Sequence, residues 1–317
     1  MNTAKHVDVV VAGLALADII GRPVDLGKPP KRGALKLIDS ITLTTGGNVS
    51  NVGIDLAKLG FSVGAITRVG NDSIGRFVTQ HYRTVGIDTE GVIVDARAQT
   101  SATIVSVDST GERTFLHTRG CMKNFRAADV LTRLPFLRKA RVLSVGYLGL
   151  LPETEQEFRK LFKTVKEKTS ARIFLDSAAS PRVSQQSLQE FLPFVDYFVP
   201  SYEEAVLITR CKSPESIVEY LRRAGAPYVV GVKLGARGCY VSDGRRATYV
   251  KGKRVKKVID ATGAGDAFVA GFIAATLRGF DPFESAALAN AVAASCVSAV
   301  GASTAIKTFD HYIAHSR

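Results

Sequence analysis

From about residue 140 the chain alternates short apolar runs with helical stretches, and this alternation restricts the fold more than any other feature. Residues 142–145, 173–175, 197–199 and 228–232 read as strands, each short and continuously apolar. Residues 153–168, 186–192, 202–208 and 214–224 read as the helices between them. Strand-helix alternation implies a mostly parallel sheet with helices on both faces, an α/β fold of three α/β/α layers with right-handed crossovers. Hydrophobic residues make up 46% of the 317 and Trp is absent, so Val, Ile, Leu and Ala must supply most of the core.

The first half fits the same scheme with two interruptions. Residues 7–12 and 63–67 read as strands, and 49–59 and 73–85 as helices stopped by Gly60 and Gly86. Residues 18–45 and 90–120 instead alternate polar and apolar residues at period two, as in Leu35-Lys36-Leu37-Ile38-Asp39 and Thr103-Ile104-Val105-Ser106-Val107. Gly111, between Ser109 and Glu112, marks a hairpin turn. These segments are expected to form a small antiparallel sheet, either a lid over a site or a plain β-extension. Residues 1–317 then read as one domain carrying that lid.

Charge and cysteines narrow the function classes. The net charge of +13 permits anionic ligands. The basic clusters, Lys28 to Arg32, Arg245–Arg246 and Lys251 to Lys257, are short and free of interleaved aromatics. They read as solvated surface, and no nucleic-acid partner is expected. Cys121, Cys211, Cys239 and Cys296 are far apart with no C-x-x-C, which suits free thiols in a reducing cytoplasm rather than a zinc site. Lys5 and His6 before an apolar run ending in Ala15-Leu16-Ala17 faintly resemble a signal peptide; Asp8 and Gly13 favour a first core strand. No 18-residue apolar run occurs, so no membrane span is expected.

Residues 260–272 carry the chemistry: Asp260-Ala-Thr-Gly-Ala-Gly-Asp266-Ala-Phe-Val-Ala-Gly-Phe. Gly263, Ala264 and Gly265 before a small-residue apolar run leave free N–H groups at a helix start, where the dipole favours an anion. Asp266 stands in the same first turn, as a base or as a helix cap. An anion cradle beside a carboxylate suggests phosphoryl transfer to a hydroxyl. The Gly21–Lys28 stretch has five residues between its glycines and Pro29 after the lysine, so it is no Walker A loop; an H-R-D segment is also missing. Upstream, Gly46-Gly47-Asn48-Val49-Ser50-Asn51 opens a helix. The two glycines admit a ligand close to the backbone, and Asn48 and Asn51, three apart, both donate and accept, as a polyol requires. Asp18 adds a carboxylate for two hydroxyls.

In these two segments, and in their order, the chain resembles the ribokinase-like (PfkB) family of carbohydrate kinases, over about residues 7 to 309. The resemblance implies a ribokinase-like sandwich and an ATP-dependent kinase of a sugar or sugar acid. It implies Asp18, Gly46, Gly47, Asn48 and Asn51 on the acceptor, Asp266 as the base, and the N–H groups of Ala264, Gly265 and Asp266 as an anion hole. Lys233-Leu234-Gly235-Ala236-Arg237-Gly238 resembles the ATP loop, with Gly235 and Gly238 bracketing phosphates; Lys233 either offsets their charge or is a surface lysine. Pro200-Ser201-Tyr202-Glu203-Glu204 resembles an Asn-x-x-Glu segment. Glu204 would organise Mg²⁺ through water, while Ser201 replaces the usual Asn near ATP and doubles as a helix cap. Ala261 replaces a usual Ser or Thr, but Asp260 and Thr262 remain, so K⁺ is a candidate activator with the backbone of residues 297–302. Asn290, with Ala293, Ala294 and Gly301, would lie around the adenine or simply pack a helix.

The lid residues Thr103, His117 and Arg119 are candidate substrate contacts, and Arg119 either meets an acceptor carboxylate or phosphate or is solvated. A nucleoside kinase is the nearest alternative, with Phe115, Tyr82 and Phe125 as the aromatics to stack a base. A non-catalytic regulator on the same fold is another. A homodimer through the lid is expected.

Overall fold

The computed structural model describes residues 7–28, 31–178 and 183–315. The Lys5-His6 pair and residues 29–30 of the first lid segment lie outside the described residues. Thirteen strands are present among those described: β1 (Val9–Gly13), β2 (Leu16–Arg22), β3 (Ser40–Gly46), β4 (Val63–Gly70), β5 (Asp88–Asp95), β6 (Ala102–Val107), β7 (Arg113–Thr118), β8 (Val142–Leu148), β9 (Arg172–Ser177), β10 (Tyr197–Phe198), β11 (Val229–Lys233), β12 (Gly238–Ser242) and β13 (Ala247–Lys251). Nine form one sheet in the order β13-β12-β11-β10-β9-β8-β1-β4-β5, and four form a second in the order β3-β2-β6-β7. The helices are α1 (Asn48–Lys58), α2 (Ser73–Thr84), α3 (Ala127–Leu131), α4 (Leu134–Leu137), α5 (Pro152–Glu155), α6 (Phe158–Lys168), α7 (Gln185–Phe191), α8 (Tyr202–Thr209), α9 (Pro214–Arg223), α10 (Ala264–Leu277), α11 (Pro282–Cys296) and α12 (Phe309–Ala314).

The three layers follow from the strand sequences. β1 is Val-Val-Val-Ala-Gly and buried throughout. Successive side chains of a strand point to opposite faces. Val9 and Val11 accordingly join a core with α1, α2, α10 and α11, while Val10 and Ala12 join a second core with α6, α8 and α9. β1 pairs in parallel with both β4 and β8, so the chain builds outward from β1 on one side and then on the other. That reversal is a topological switch point, where open α/β sheets bind ligands beyond the strand C-termini.

The structure alters several expectations. Residues 90–95 belong to β5, which pairs in parallel with β4 at the edge of the large sheet and not with the lid. Residues 35–39 form no strand despite their alternation: Leu35 and Leu37 are about fully exposed, at 90% and 86%, with no neighbouring strand to cover them. The small sheet is mixed rather than antiparallel, because β2 and β6 run parallel while β2–β3 and β6–β7 are antiparallel. Beyond β11 the sheet ends in an antiparallel β11-β12-β13 meander, so the Lys233–Gly238 loop is a hairpin connection. The 153–168 helix is two helices, α5 and α6. Gly111 does turn the β6–β7 hairpin, with φ 93° and the Asp108 N–H bonded to Glu112 O at 2.9 Å.

Candidate active site

The site is assembled where α1, β8 and α10 converge. Gly263 adopts φ 78° as the N-cap of α10, and a Cβ there would meet Ala302 at 2.4 Å, so only glycine fits. The first helical bond runs from Ala267 N–H to Gly263 O at 2.8 Å. The Ala264 N–H turns back to Ala261 O at 3.3 Å, which withdraws it from the anion hole that the resemblance implied. Gly265 and Asp266 line a cleft of about 820 Å³, and first-turn N–H groups have no intrahelical acceptor.

Asp266 is buried, yet its carboxylate accepts from two donors. Asn51 Nδ2 lies 2.9 Å from Oδ2, joining residues 215 apart in the chain. The Tyr147 hydroxyl lies 2.9 Å from Oδ1 and 2.8 Å from Oδ2. Burial, reinforced by the charge of Asp176, pushes the Asp266 carboxyl up to about 7; the bonds from Asn51 and Tyr147 and the charge of Lys233 work against that rise. The carboxyl therefore changes charge near neutral pH, as a general base should.

Lys233 ends β11 and turns inward rather than to solvent. Its Nζ bonds Asp176 Oδ1 at 3.0 Å, and a Cβ on Gly265 would stand 3.4 Å from it. Despite burial, the carboxylates of Asp176 and Glu204 hold its proton above the ordinary lysine range. A protonated lysine thus lies against the N-terminus of α10. Gly235 has φ 59° and Gly238 φ 96°, and a Gly238 Cβ would strike Val250 O at 2.1 Å. Both glycines line the cleft with Ser201, Glu204 and Asn290. Ser201 and Glu204 form a capping box on α8. Glu204 Oε2 also accepts from Ser177 Oγ at 2.8 Å, and Oε1 has no partner among the described residues. Asn290 Nδ2 donates to Val250 O at 3.3 Å and Lys251 O at 3.2 Å, holding β13 against α11.

Beside Asp18, Gly46 and Gly47 permit close approach to the backbone. A Cβ on Gly46 would stand 2.5 Å from Asp18 Oδ2, and Gly47 has φ 85° with Leu14 O 2.4 Å from a would-be Cβ. Asp18, Thr103 and His117 are cross-strand neighbours on one face of the small sheet. Thr103 Oγ1 and His117 Nδ1 are 3.1 Å apart. Burial raises the Asp18 carboxyl, opposed by the Thr103 bond and the His117 charge.

Four expected contacts have other employment. Asn48 is 1% exposed; its Oδ1 accepts from Leu14 N–H at 2.8 Å and its Nδ2 donates to Ala12 O at 3.0 Å. It locks the end of β1 and parts from Asn51, because a buried amide takes backbone partners where a strand leaves them open. Arg119 is paired with Glu153 through its two terminal nitrogens, Nη1 and Nη2, at 3.0 and 2.5 Å. Thr262 does not line the cleft; its hydroxyl accepts from Arg113 of β7. Asp260 Oδ1 accepts from Thr262 N–H at 2.9 Å and from Arg113 Nη2 at 2.8 Å, and Oδ2 from Gly301 N–H at 3.0 Å. Burial opposes its charge, but the Gly301 and Thr262 N–H groups, with Arg113, hold it down to about 2. The Arg113 guanidinium already pairs with this carboxylate, so Asp260 does not stand as a free anionic ligand for K⁺. Among the stacking candidates, Tyr82 and Phe125 are core residues at 0% and 1% exposure, and Phe115 alone of the three is exposed.

Tyr147, Asp176 and Arg113 escaped the sequence reading. Tyr147 lies in a strand read only to residue 145, and an arginine in a hairpin carries no signal of a partner 149 residues away. All four cysteines are unpaired. No helix among the described residues is long and apolar enough to cross a membrane.

The family model described as pfkB family carbohydrate kinase matches residues 7–308. The chain belongs to this family. It is 30% identical over 287 residues to the 2-dehydro-3-deoxygluconokinase of Bacillus subtilis (strain 168), covering 85% of each chain. It is also 30% identical over 273 residues to a fructokinase of Klebsiella pneumoniae, covering 82% of this chain and 88% of that one. The structure of an Arabidopsis thaliana ribokinase complexed with ribose and ATP superposes with a TM-score of 0.85 at 23% identity, over 99% of both chains. The ribokinase fold and the assignment as a carbohydrate kinase rest on these matches.

Proposed function

We propose that this pfkB-family kinase transfers the γ-phosphoryl group of ATP to a hydroxyl of a sugar or sugar acid, with Asp266 as general base. The observation that carries the reading is the Asp266 carboxylate: it is buried, aimed by Asn51 and Tyr147, and placed in the first turn of α10 beside Lys233. Asp266 takes the hydroxyl proton as the acceptor oxygen bonds to γ-phosphorus, and the bond to the β-phosphate oxygen breaks to leave ADP. Lys233 and the N–H groups of Gly265 and Asp266 meet the charge of the transferring group. Asp18, Thr103 and His117 face the acceptor with three polar groups, one of them acidic. Glu204, whose Oε1 has no partner among the described residues, suits water-mediated Mg²⁺; bound there, Mg²⁺ would screen the ATP phosphates.

The Bacillus subtilis and Klebsiella pneumoniae relatives act, by their names, on a sugar acid and a sugar, and the proposed acceptor is of one of these classes. Burial of Tyr82 and Phe125 removes two of three stacking groups and favours a sugar over a nucleoside. Cytoplasmic residence accords with the unpaired thiols. We also infer a homodimer through the lid. Leu43, Ile19, Ile104 and Leu116 are directly paired across the four strands of the small sheet, on the face opposite Asp18. Leu43, Ile104 and Leu116 are 45–67% exposed, and a second copy of the chain would cover that row.

The test is an ATP-consumption screen over hexoses, ketoses, 2-dehydro-3-deoxy sugar acids and nucleosides. A sugar or sugar acid is expected to be the best acceptor. Asp266→Asn is expected to lower kcat on it by about 10²–10⁴-fold. Turnover close to wild type in that variant would overturn the base assignment.

A further inference from the structure

We propose that Tyr147 is a positioning residue for the catalytic carboxylate, holding Asp266 in one orientation and leaving Oδ1 as the oxygen that receives the acceptor's proton. The role given to Oδ1 rests on the reading of Asp266 as the base. Three separate parts of the chain meet at this carboxylate. α10 brings Asp266 in its first turn, α1 brings Asn51 one turn in, and β8 brings Tyr147 at the switch point beside β1. The close approach there is visible at Gly13, where a Cβ would lie 1.9 Å from Gly146 O. Tyr147 follows that contact directly, so its ring enters the cleft from the end of the central strands and lines it.

The donors are distributed unequally. Oδ2 accepts from Asn51 at 2.9 Å and from Tyr147 at 2.8 Å; Oδ1 shares only the Tyr147 proton, at 2.9 Å. The less engaged oxygen keeps a lone pair for an incoming hydroxyl. Transfer of that proton turns the carboxylate into a carboxyl with the O–H on Oδ1, and the Asn51 and Tyr147 donors continue to bond Oδ2. The phenol itself gives up no proton. Burial first, and then the charges of Asp266 and Asp176, push it well above its ordinary value, so it acts as a donor throughout the working range.

A donor to a carboxylate favours the ionised form. The other groups that bear on Asp266 are Asp55 from α1, Asp176 from β9, Lys233 from β11 and Cys296 from α11. Asp176 opposes its ionisation and Lys233 favours it, while the charge of Asp266 helps to raise Asp55. None of them is altered by removing the phenol oxygen, which makes Tyr147→Phe a clean substitution.

The decisive measurement is NMR of the full chain carrying carboxyl-labelled aspartate, with the Asp266 signal assigned by its loss in Asp266→Asn. Wild-type Asp266 is expected to titrate at about 7. In Tyr147→Phe the midpoint is expected to rise by roughly one pH unit. A Tyr147→Phe protein that melts like wild type with an unmoved midpoint would overturn the proposal. As a reciprocal check, the Tyr147 ring signal should titrate at lower pH in Asp266→Asn, because a negative charge has gone; an unchanged phenol midpoint would also overturn it. Neither readout requires turnover. If the midpoints move as expected but Asp266→Asn still phosphorylates its acceptor at the wild-type rate, the link between Tyr147 and Asp266 stands, whereas the base assignment and the part given to Oδ1 fail.

Discussion

A carboxylate loses solvation when it is buried, and Asp266 shows what a chain accepts to keep one in place. Its pKa is raised from an unfolded value near 3.8 to about 7, so the folded state holds a proton that the unfolded state releases between those values. Its contribution favours folding fully below pH 4 and is lost as pH rises through 7. Asp266→Asn is therefore expected to be more stable than wild type at pH 8, by about 1–3 kcal/mol in urea unfolding, with the gap closing below pH 4. Asn48 is the opposite case, with two buried bonds to backbone groups of Ala12 and Leu14. Asn48→Ala is expected to lower stability by about 2–4 kcal/mol, measured by chemical denaturation. Asp266 was legible because the small residues before it announce a helix N-terminus. The work of Asn48 was not, since an amide after two glycines reads equally as a ligand contact or as a structural pin.

At the scale of elements, the hairpin β6–β7 and the loop before α10 form one mechanical unit. Arg113 reaches from the lid to the Asp260 carboxylate and the Thr262 hydroxyl, directly before the Gly263 N-cap. Asp260 is nearly buried and Arg113 about one-third exposed, so the pair is partly shielded from salt. The contact joins the small sheet to the turn that opens α10. Arg113→Ala is expected to raise the KM of both substrates about 3–10-fold, the scale of losing one charge-assisted bond, and Arg113→Lys to recover part of the loss in the same steady-state assay. Element types were mostly readable, because burial on both faces writes continuous apolar strands. Boundaries and pairings were less so. The alternation of residues 35–39 looks like a strand, yet a strand exists only where a neighbour pairs with it. Residues 90–95 have a similar pattern and do find a neighbour, β4.

At the scale of the molecule, the small sheet carries Asp18, Thr103 and His117 on one face and an exposed apolar row on the other. Ile41, Leu43, Ile104 and Leu116 are 45–71% exposed, an uneconomical surface for a monomer unless it is covered. Ile104→Lys is expected to convert the proposed lid dimer to monomers, seen in sedimentation velocity at low salt and high salt alike; a wild-type protein that is monomeric at all accessible concentrations would remove the dimer. The amino-acid sequence by itself determined the layered α/β architecture and the small-residue start of α10, because periodicity and small residues act locally. It also marked Gly46 and Gly47, whose backbone freedom is a property of the residue. Only the tertiary structure decided which side chains meet at Asp266. Asn51, Tyr147 and Lys233 come from distant segments, and their approach follows from the strand order around β1, a consequence of packing both sheet faces that no local pattern encodes. The same packing placed Arg113 on Asp260, giving a guanidinium the position against that carboxylate that the sequence left open to a cation.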